Sequence, residues 1–358
     1  MSSSIPETMQ ALRVSNAGDS HYKLETIPVP NVEGSQVLLK IGAAGLCHTD
    51  LMVMDGSFGG VYPIVGSHEP AGTVVALGKD AEKNGTAKVG DRVAALLPKD
   101  PCGECSDCKL GDWKYCANVK YGGINVDGFF SEYALVEAKN CVVLPDSLSF
   151  EQAAPLTCAG ITIYTAIKKA GLKPGQILAI SGLGALGHLG VQMAKAMGLK
   201  VVGIDARPEP IAMTKGLNLA PDLLIDATKT EADAAKKQIA DLREDGYVGW
   251  DGADVTIIAA DALPAQSYAA QITRRHGHLI LVAQPPQLQF DFRNFIFQDL
   301  TLSGSLHGNE VNLKETVELV DKFGIISDLS RFKIGQHEEM VDSVHREGRK
   351  GKSVLVFE

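Results

Sequence analysis

The stretch Ile177-Leu178-Ala179-Ile180-Ser181-Gly182-Leu183-Gly184-Ala185-Leu186-Gly187 passes from an unbroken apolar run straight into Gly-x-Gly-x-x-Gly. In such a turn the first glycine permits a tight bend, the second lets backbone approach a pyrophosphate, and the third lets helix pack on strand. The free amides at the helix start then face the phosphates with partial positive charge. Glycine-rich turns also serve plain packing, so the surroundings must decide. A second apolar run, Val201-Val202-Gly203-Ile204, ends in Asp205, 21 positions after Gly184, where an acid can accept hydrogen bonds from both hydroxyls of an adenosine ribose. Gly182, Gly184, Gly187 and Asp205 are therefore predicted to hold a dinucleotide. An acid at 205 repels a 2′-phosphate and favours NAD(H), although Arg207 stands close enough to swing toward such a phosphate.

Outward from this turn, apolar runs of strand length alternate with helix-length segments: Leu223-Leu224-Ile225, Val255-Thr256-Ile257-Ile258 and Leu279-Ile280-Leu281-Val282 follow in order. That alternation predicts a doubly wound parallel sheet with helices on both faces. A helix read from Ala185 would bury Leu186, Leu189, Met193 and Met197 as one stripe, better explained as core than as a ligand box. Upstream, the first 150 residues carry short strands broken by glycine and proline, such as Val37–Ile41, Gly72–Ala76, Arg92–Leu96 and Ser131–Val136, which predict an irregular β-barrel. A strand at Thr301–Leu306, a helix from about Asn312 and a terminal strand close the chain.

Composition narrows the function. The 358 residues carry 34 Lys+Arg against 43 Asp+Glu, a formal charge of −9, which argues against nucleic acid or an anionic membrane as partner. No apolar run approaches the ~18 residues of a membrane span, and the first residues lack the charged and apolar regions of a secretory signal. The expectation is a cytoplasmic protein. Its seven cysteines, an odd number, fit poorly with a closed disulfide set.

Four of them, Cys102, Cys105, Cys108 and Cys116, fall within fifteen residues, and four thiolates can saturate a tetrahedral Zn²⁺ with no open position, which makes such a site structural. An iron–sulfur cluster also uses C-x2-C-x2-C, but its usual next spacing and following proline are absent. Two disulfides are disfavoured by compartment and by the strain of two-residue loops. Of the others, Cys141 sits in the apolar run Cys141-Val142-Val143-Leu144 and reads as a small buried hydrophobe. Spacing alone does not join Cys47, His68 and Cys158.

Three segments in order, Gly45-Leu46-Cys47-His48-Thr49-Asp50, then His68-Glu69-Pro70-Ala71-Gly72 with Gly78, then the four-cysteine loop and the glycine turn, resemble the zinc-dependent alcohol dehydrogenases of the medium-chain dehydrogenase/reductase superfamily, in their yeast-like and bacterial branch. The resemblance runs from about Met9 to Phe357. It implies an α/β chain with a GroES-like β-barrel catalytic domain over 1–160, an NAD-binding Rossmann domain over 161–299, and a return segment, 300–358, completing the catalytic domain. It implies two zinc ions per chain, the second held by Cys47, His68 and Cys158, with Glu69 as an alternate ligand and Asp50 orienting the imidazole. His48 is implied at the coenzyme pyrophosphate, and Thr49 as the hydroxyl that takes the proton when an alcohol gives hydride to the nicotinamide. The implied partner is a small alcohol, ketone or aldehyde, and the implied assembly a homotetramer, since no long insertion follows Cys116.

Several positions depart from the family pattern. Ser67 replaces the glycine before His68, which predicts a local backbone change without loss of metal. Met52 stands where yeast-like members have a relay histidine. Leu97 replaces a large aromatic, and the segment around Phe58 lacks a tryptophan, so the pocket formed by Met52, Phe58 and Leu97 is predicted to be wider than an ethanol-sized one. A cinnamyl-type or polyol dehydrogenase using NADP(H), or a zinc-stabilised nucleotide-binding scaffold without turnover, are the competing readings.

Overall fold

The computed structural model describes residues 5–84, 87–243, 249–344, 346, 348 and 351–357. Six strands form one parallel sheet in the spatial order Leu223–Asp226, Lys200–Asp205, Ile177–Ser181, Ala253–Ile258, Thr273–Leu281, Thr301–Gly304. In chain order this is 3-2-1-4-5-6, with the reversal beside Ile177–Ser181, the strand that feeds the glycine turn. Ile177–Ser181 and Ala253–Ile258 are buried at every position, because helices cover both faces.

The boundary predicted at residue 299 falls one strand early. Leu302 pairs in parallel register with Leu279, so Thr301–Gly304 completes the parallel sheet and the chain crosses back only afterwards. The helix after the glycine turn also begins at Gly187 rather than Ala185. Its stripe nevertheless packs as core: Leu189 and Met193 are buried, and Leu186 and Met197 pack partly buried against them.

The remaining residues build a mostly antiparallel body. Its main sheet runs Cys141–Val143, Arg92–Ala95, Glu69–Leu77, Gln36–Leu46, Lys352–Val356, Leu329–Phe332, with Tyr133–Glu137 also pairing to Gln36–Leu46. The C-terminal strand Lys352–Val356 thus lies beside an N-terminal one, with Leu46 opposite Ser353. Cys141 is half-buried rather than buried, because its short strand is the sheet's edge. The helix Ala159–Ala170 joins the two bodies. Its Ile161, Ile163 and Ile167 share one core with Ala43, Ala71 and Val354 of the antiparallel sheet and with Leu178, Ile180 and Met193 of the parallel one. No described helix is long and apolar enough to cross a membrane.

Candidate active site and metal centres

Two turns and a helix end meet where the bodies join. The strand Gln36–Leu46 runs into Cys47, which caps the helix His48–Asp55. Asp50 accepts the Cys47 backbone N–H through Oδ2 at 2.8 Å and the His68 Nδ1–H through Oδ1 at 2.8 Å, so one buried carboxylate sets both residues. A carboxylate only accepts, which places the hydrogen on Nδ1 and leaves His68 Nε2 facing Cys158 Sγ at 3.2 Å. Cys158 precedes the helix Ala159–Ala170. One ligand atom from each of Cys47, His68, Glu69 and Cys158 lies within 4.8 Å of the others.

His68 follows Ser67, whose φ of +69° is the left-handed conformation glycine favours. Ser67 adopts it with a compensating bond: its Oγ–H donates to the Gly45 carbonyl at 2.8 Å, and Oγ accepts the Glu69 N–H at 3.3 Å. Gly45 in turn makes room for Glu69, since a Cβ there would lie 2.0 Å from Glu69 Oε2.

Electrostatics tie the group together. Burial opposes a charged imidazole, but the Asp50 carboxylate outweighs it and holds the His68 pKa well above its ordinary value. A hydrogen bond from Cys158 holds the Cys47 thiol well below the usual thiol range, with Lys352 and His68 helping. Burial raises Glu69 to about 7 against the pull of Lys352, whose ammonium lies 2.5 Å from Glu69 Oε1. Glu69 Oε2 is buried without a partner. The hydrogen bond to Cys47 and burial push Cys158 well above the usual thiol range, so a divalent cation beside both sulfurs would supply the charge that holds them as thiolates. The donor set therefore fits zinc at Cys47, His68 and Cys158, with Glu69 3.9 Å from His68 Nε2 as a further oxygen donor.

Sequence reasoning missed Lys352. Its signal is a lysine opening the buried strand Lys352–Val356 ahead of Ser353 and the apolar Val354, Leu355 and Val356, where it is 2% exposed.

The four-cysteine loop folds on its own thiols. Cys102 Sγ accepts the Cys105 N–H at 3.3 Å, and Cys116 Sγ accepts the Cys102 N–H at 3.4 Å. The Cys102 N–H, with that of Asn118, brings Cys116 down to about 6. Cys102 Sγ lies 4.0 Å from Cys108 Sγ and 3.6 Å from Cys116 Sγ. All four are free thiols in this structure. A tetrahedral ion with bonds of about 2.3 Å puts its sulfurs about 3.8 Å apart, so the loop fits one zinc, whereas a multi-iron cluster would hold them farther apart.

The dinucleotide cleft lies at the switch point, a cavity of about 590 Å³ lined by Gly182, Gly184, Asp205 and Arg207 among others. Gly182 has φ +102°, and a Cβ on Gly187 would lie 1.8 Å from the Gly182 carbonyl. A Cβ on Gly184 would meet only the Arg207 guanidinium, at 3.7 Å. Protein packing thus does not require glycine at 184, while a close-approaching phosphate would. Asp205 accepts the Leu183 N–H at 2.8 Å and the Arg207 Nε–H at 3.2 Å, so the guanidinium is folded onto the carboxylate. His188 braces the cradle: its Nδ1–H donates to the Gly184 carbonyl at 2.7 Å and its Nε2 accepts the Asp328 N–H at 3.3 Å.

A second cavity, about 220 Å³, adjoins the histidine–cysteine group and is lined by Thr49, Phe58, His68, Leu97, Tyr121, Ile124, Cys158 and, unforeseen from the sequence, Gln284, Ser305 and His307. Met52 is not part of its described wall. It stands one turn beyond Thr49, about 4.5 Å up the helix, where its carbonyl holds Phe58 N–H at 3.0 Å. His48 is exposed at the helix start.

A barrel-like body carrying two cysteine-rich groups able to hold a metal ion, joined to a doubly wound sheet with a cleft at its switch point, is the architecture of a metal-dependent oxidoreductase. Residues 33–146 match the alcohol dehydrogenase GroES-like domain and residues 185–322 the zinc-binding dehydrogenase domain. Alcohol dehydrogenase 1 of Emericella nidulans is 36% identical over 325 residues, 89% of each chain. An alcohol dehydrogenase of Geobacillus stearothermophilus is 34% identical over 299 residues, covering 83% of this chain and 84% of its own. The solved acetophenone reductase of Geotrichum candidum, in complex with NAD, superposes with a TM-score of 0.85 at 27% identity over 99% of both chains. The chain belongs to the zinc-type alcohol dehydrogenases of the medium-chain dehydrogenase/reductase superfamily.

Proposed function

We propose that this oxidoreductase transfers hydride between NAD(H) and primary or secondary alcohols larger than ethanol, or the matching carbonyls. The observation that carries the reading is the cavity itself, which touches His68, Cys158 and Thr49 and is walled by Phe58, Leu97, Tyr121 and Ile124. Cys47, His68 and Cys158 would hold zinc, which when bound would supply the positive charge that polarises an alcohol or carbonyl oxygen. Asp50 keeps His68 in the tautomer that offers Nε2. Thr49 accepts the alcohol proton and releases it toward solvent, since Met52 cannot carry one. Gly182, Gly184 and Gly187 seat the pyrophosphate with His48, Asp205 binds the ribose, and the apolar wall excludes water around the transferred hydride.

The seven free thiols support a reducing, cytoplasmic setting, and the lack of a long insertion after Cys116 supports a homotetramer. The test is a coenzyme-oxidation assay over alcohols and ketones with NAD(H) and NADP(H) in parallel, before and after chelation. Expected is NAD-dependent turnover, abolished by the chelator, with branched or aryl alcohols above ethanol in kcat/KM. Ethanol as the best substrate would overturn the wide-pocket reading, and no turnover with either coenzyme would overturn the enzyme reading.

A further inference from the structure

Residues 326–328, just ahead of the strand Leu329–Phe332, lie against the helix that follows the glycine turn, and side chains satisfy their backbone one residue at a time. Gln192 donates from Nε2 to the Ile326 carbonyl at 2.8 Å and accepts the Ile326 N–H through Oε1 at 3.2 Å. Gln152, from the helix Phe150–Ala153, does the same for Ser327 at 3.0 and 2.8 Å. His188, fully buried, takes the third residue: its Nε2 accepts the Asp328 N–H at 3.3 Å and lies 3.2 Å from Ser327 Oγ. An N–H only donates, so the ring hydrogen sits on Nδ1 and goes to the Gly184 carbonyl at 2.7 Å. That carbonyl also accepts the His188 backbone N–H, at 3.2 Å. Burial lowers the His188 pKa and keeps the ring neutral.

Gly184 has no side chain to hold its peptide, and the space around it is open but for the Arg207 guanidinium. A trans peptide points its C=O and N–H in opposite directions, so a Gly184 carbonyl drawn onto the ring turns the Ala185 N–H away from it. We infer that His188 is a positioning residue for the coenzyme: by holding the Gly184 carbonyl through Nδ1–H it keeps the backbone amides of the turn aimed at the pyrophosphate, with Ser327 and Asp328 as the anchor of the ring. This rests on the dinucleotide reading of the turn. The cleft is lined by Gly184 but not by His188, Ser327 or Asp328, so the ring acts on the coenzyme through Gly184. Gln192, one turn along the same helix, supplies the contrast. Its side-chain bonds grip the same segment but go to Ile326 and the His188 carbonyl.

The experiment titrates ADP-ribose into the zinc-loaded full chain by calorimetry, in wild type, His188→Leu, His188→Asn and Gln192→Leu. His188→Leu should raise Kd about two- to twelvefold, the range of one neutral hydrogen bond. His188→Asn sets an amide N–H where Nδ1–H stood and should recover most of that affinity. Gln192→Leu removes two buried bonds to the same segment without touching Gly184, and should bind as wild type does. A partly unfolded variant lowers the number of sites and leaves the Kd of the folded fraction readable. In turnover, His188→Leu should raise the coenzyme KM and leave the alcohol KM unchanged. An unchanged Kd in His188→Leu, an asparagine variant as weak as the leucine one, or an equal loss in Gln192→Leu would overturn the proposal. Wild type that binds no ADP-ribose would overturn the dinucleotide reading and the proposal with it, whereas tight binding unaltered in His188→Leu would overturn the proposal alone.

Discussion

Glu69 Oε1 and Lys352 Nζ, 283 positions apart in the chain, meet at 2.5 Å in full burial beside Cys47, His68 and Cys158. The pair pins the C-terminal strand to the N-terminal one at the cation site. Removing one partner leaves the other charge uncompensated in a low-dielectric setting, which costs about 3–5 kcal/mol. Lys352→Met should therefore destabilise the zinc-loaded protein by roughly that amount in chemical denaturation. The double variant with Glu69→Gln should recover most of the loss. A double variant no more stable than the single one would show that the pairing is not the cause.

The four-cysteine loop leads to a stoichiometric expectation. Backbone N–H groups of the loop donate to the thiols of Cys102, Cys105 and Cys116, which aims the four sulfurs at one point, so one lost ligand should cost the whole site. Elemental analysis should find two zinc ions per chain in wild type and one in Cys105→Ser. Limited proteolysis should then cut the variant faster between residues 102 and 116. An unchanged zinc count would remove the structural-site assignment.

The proposed preference for NAD(H) rests on Asp205 and Arg207. The guanidinium is 3.2 Å from the carboxylate and is neutralised by it. Asp205→Asn keeps the shape, removes the repulsion toward a 2′-phosphate and frees Arg207. The NADP/NAD ratio of kcat/KM should rise about ten- to hundredfold, the range of one charge-assisted hydrogen bond. Adding Arg207→Ala should cancel most of that rise.

His307 also makes a pH signature. Its folded pKa of about 4 lies below the ordinary 6.5, so the unfolded chain binds the proton more readily. That contribution is complete above about pH 6.5 and is lost as pH falls toward 4, up to about 3 kcal/mol. Between pH 6.5 and 4.5, wild type should lose stability more steeply than His307→Leu, by about 2 kcal/mol in denaturant titrations. Parallel pH dependences in the two proteins would contradict the buried neutral ring.

The two most legible features are local ones. Gly182 to Gly187 and Cys102 to Cys116 each carry their chemistry within one turn or loop, so spacing alone exposes the backbone requirement or the sulfur cluster. Ser67 shows where such reading stops. The substitution predicts an altered backbone, yet the serine takes the left-handed conformation and is held there by the Gly45 carbonyl, a partner visible only in the fold. Met52 likewise keeps helix spacing from Thr49 but misses the cavity wall, because the wall is chosen by the second body packed across it.

By itself the sequence determined the alternation of strand- and helix-length segments, the glycine turn and the partition of cysteines into a four-thiol loop and scattered residues, since each is written within a few positions of the chain. It left the domain return one strand too early, marked Lys352 only as a lysine opening a largely apolar strand, and gave no hint of His307. Those were decided by tertiary structure. Strand register sets Gly45 opposite Glu69 and Leu46 opposite Ser353, which brings Lys352 to the buried carboxylate. The crossing after Gly304 carries His307 onto Trp113 and Tyr121. Neither charge nor tautomer is encoded in spacing, because burial and the nearest partner fix both only once the two bodies have closed on each other.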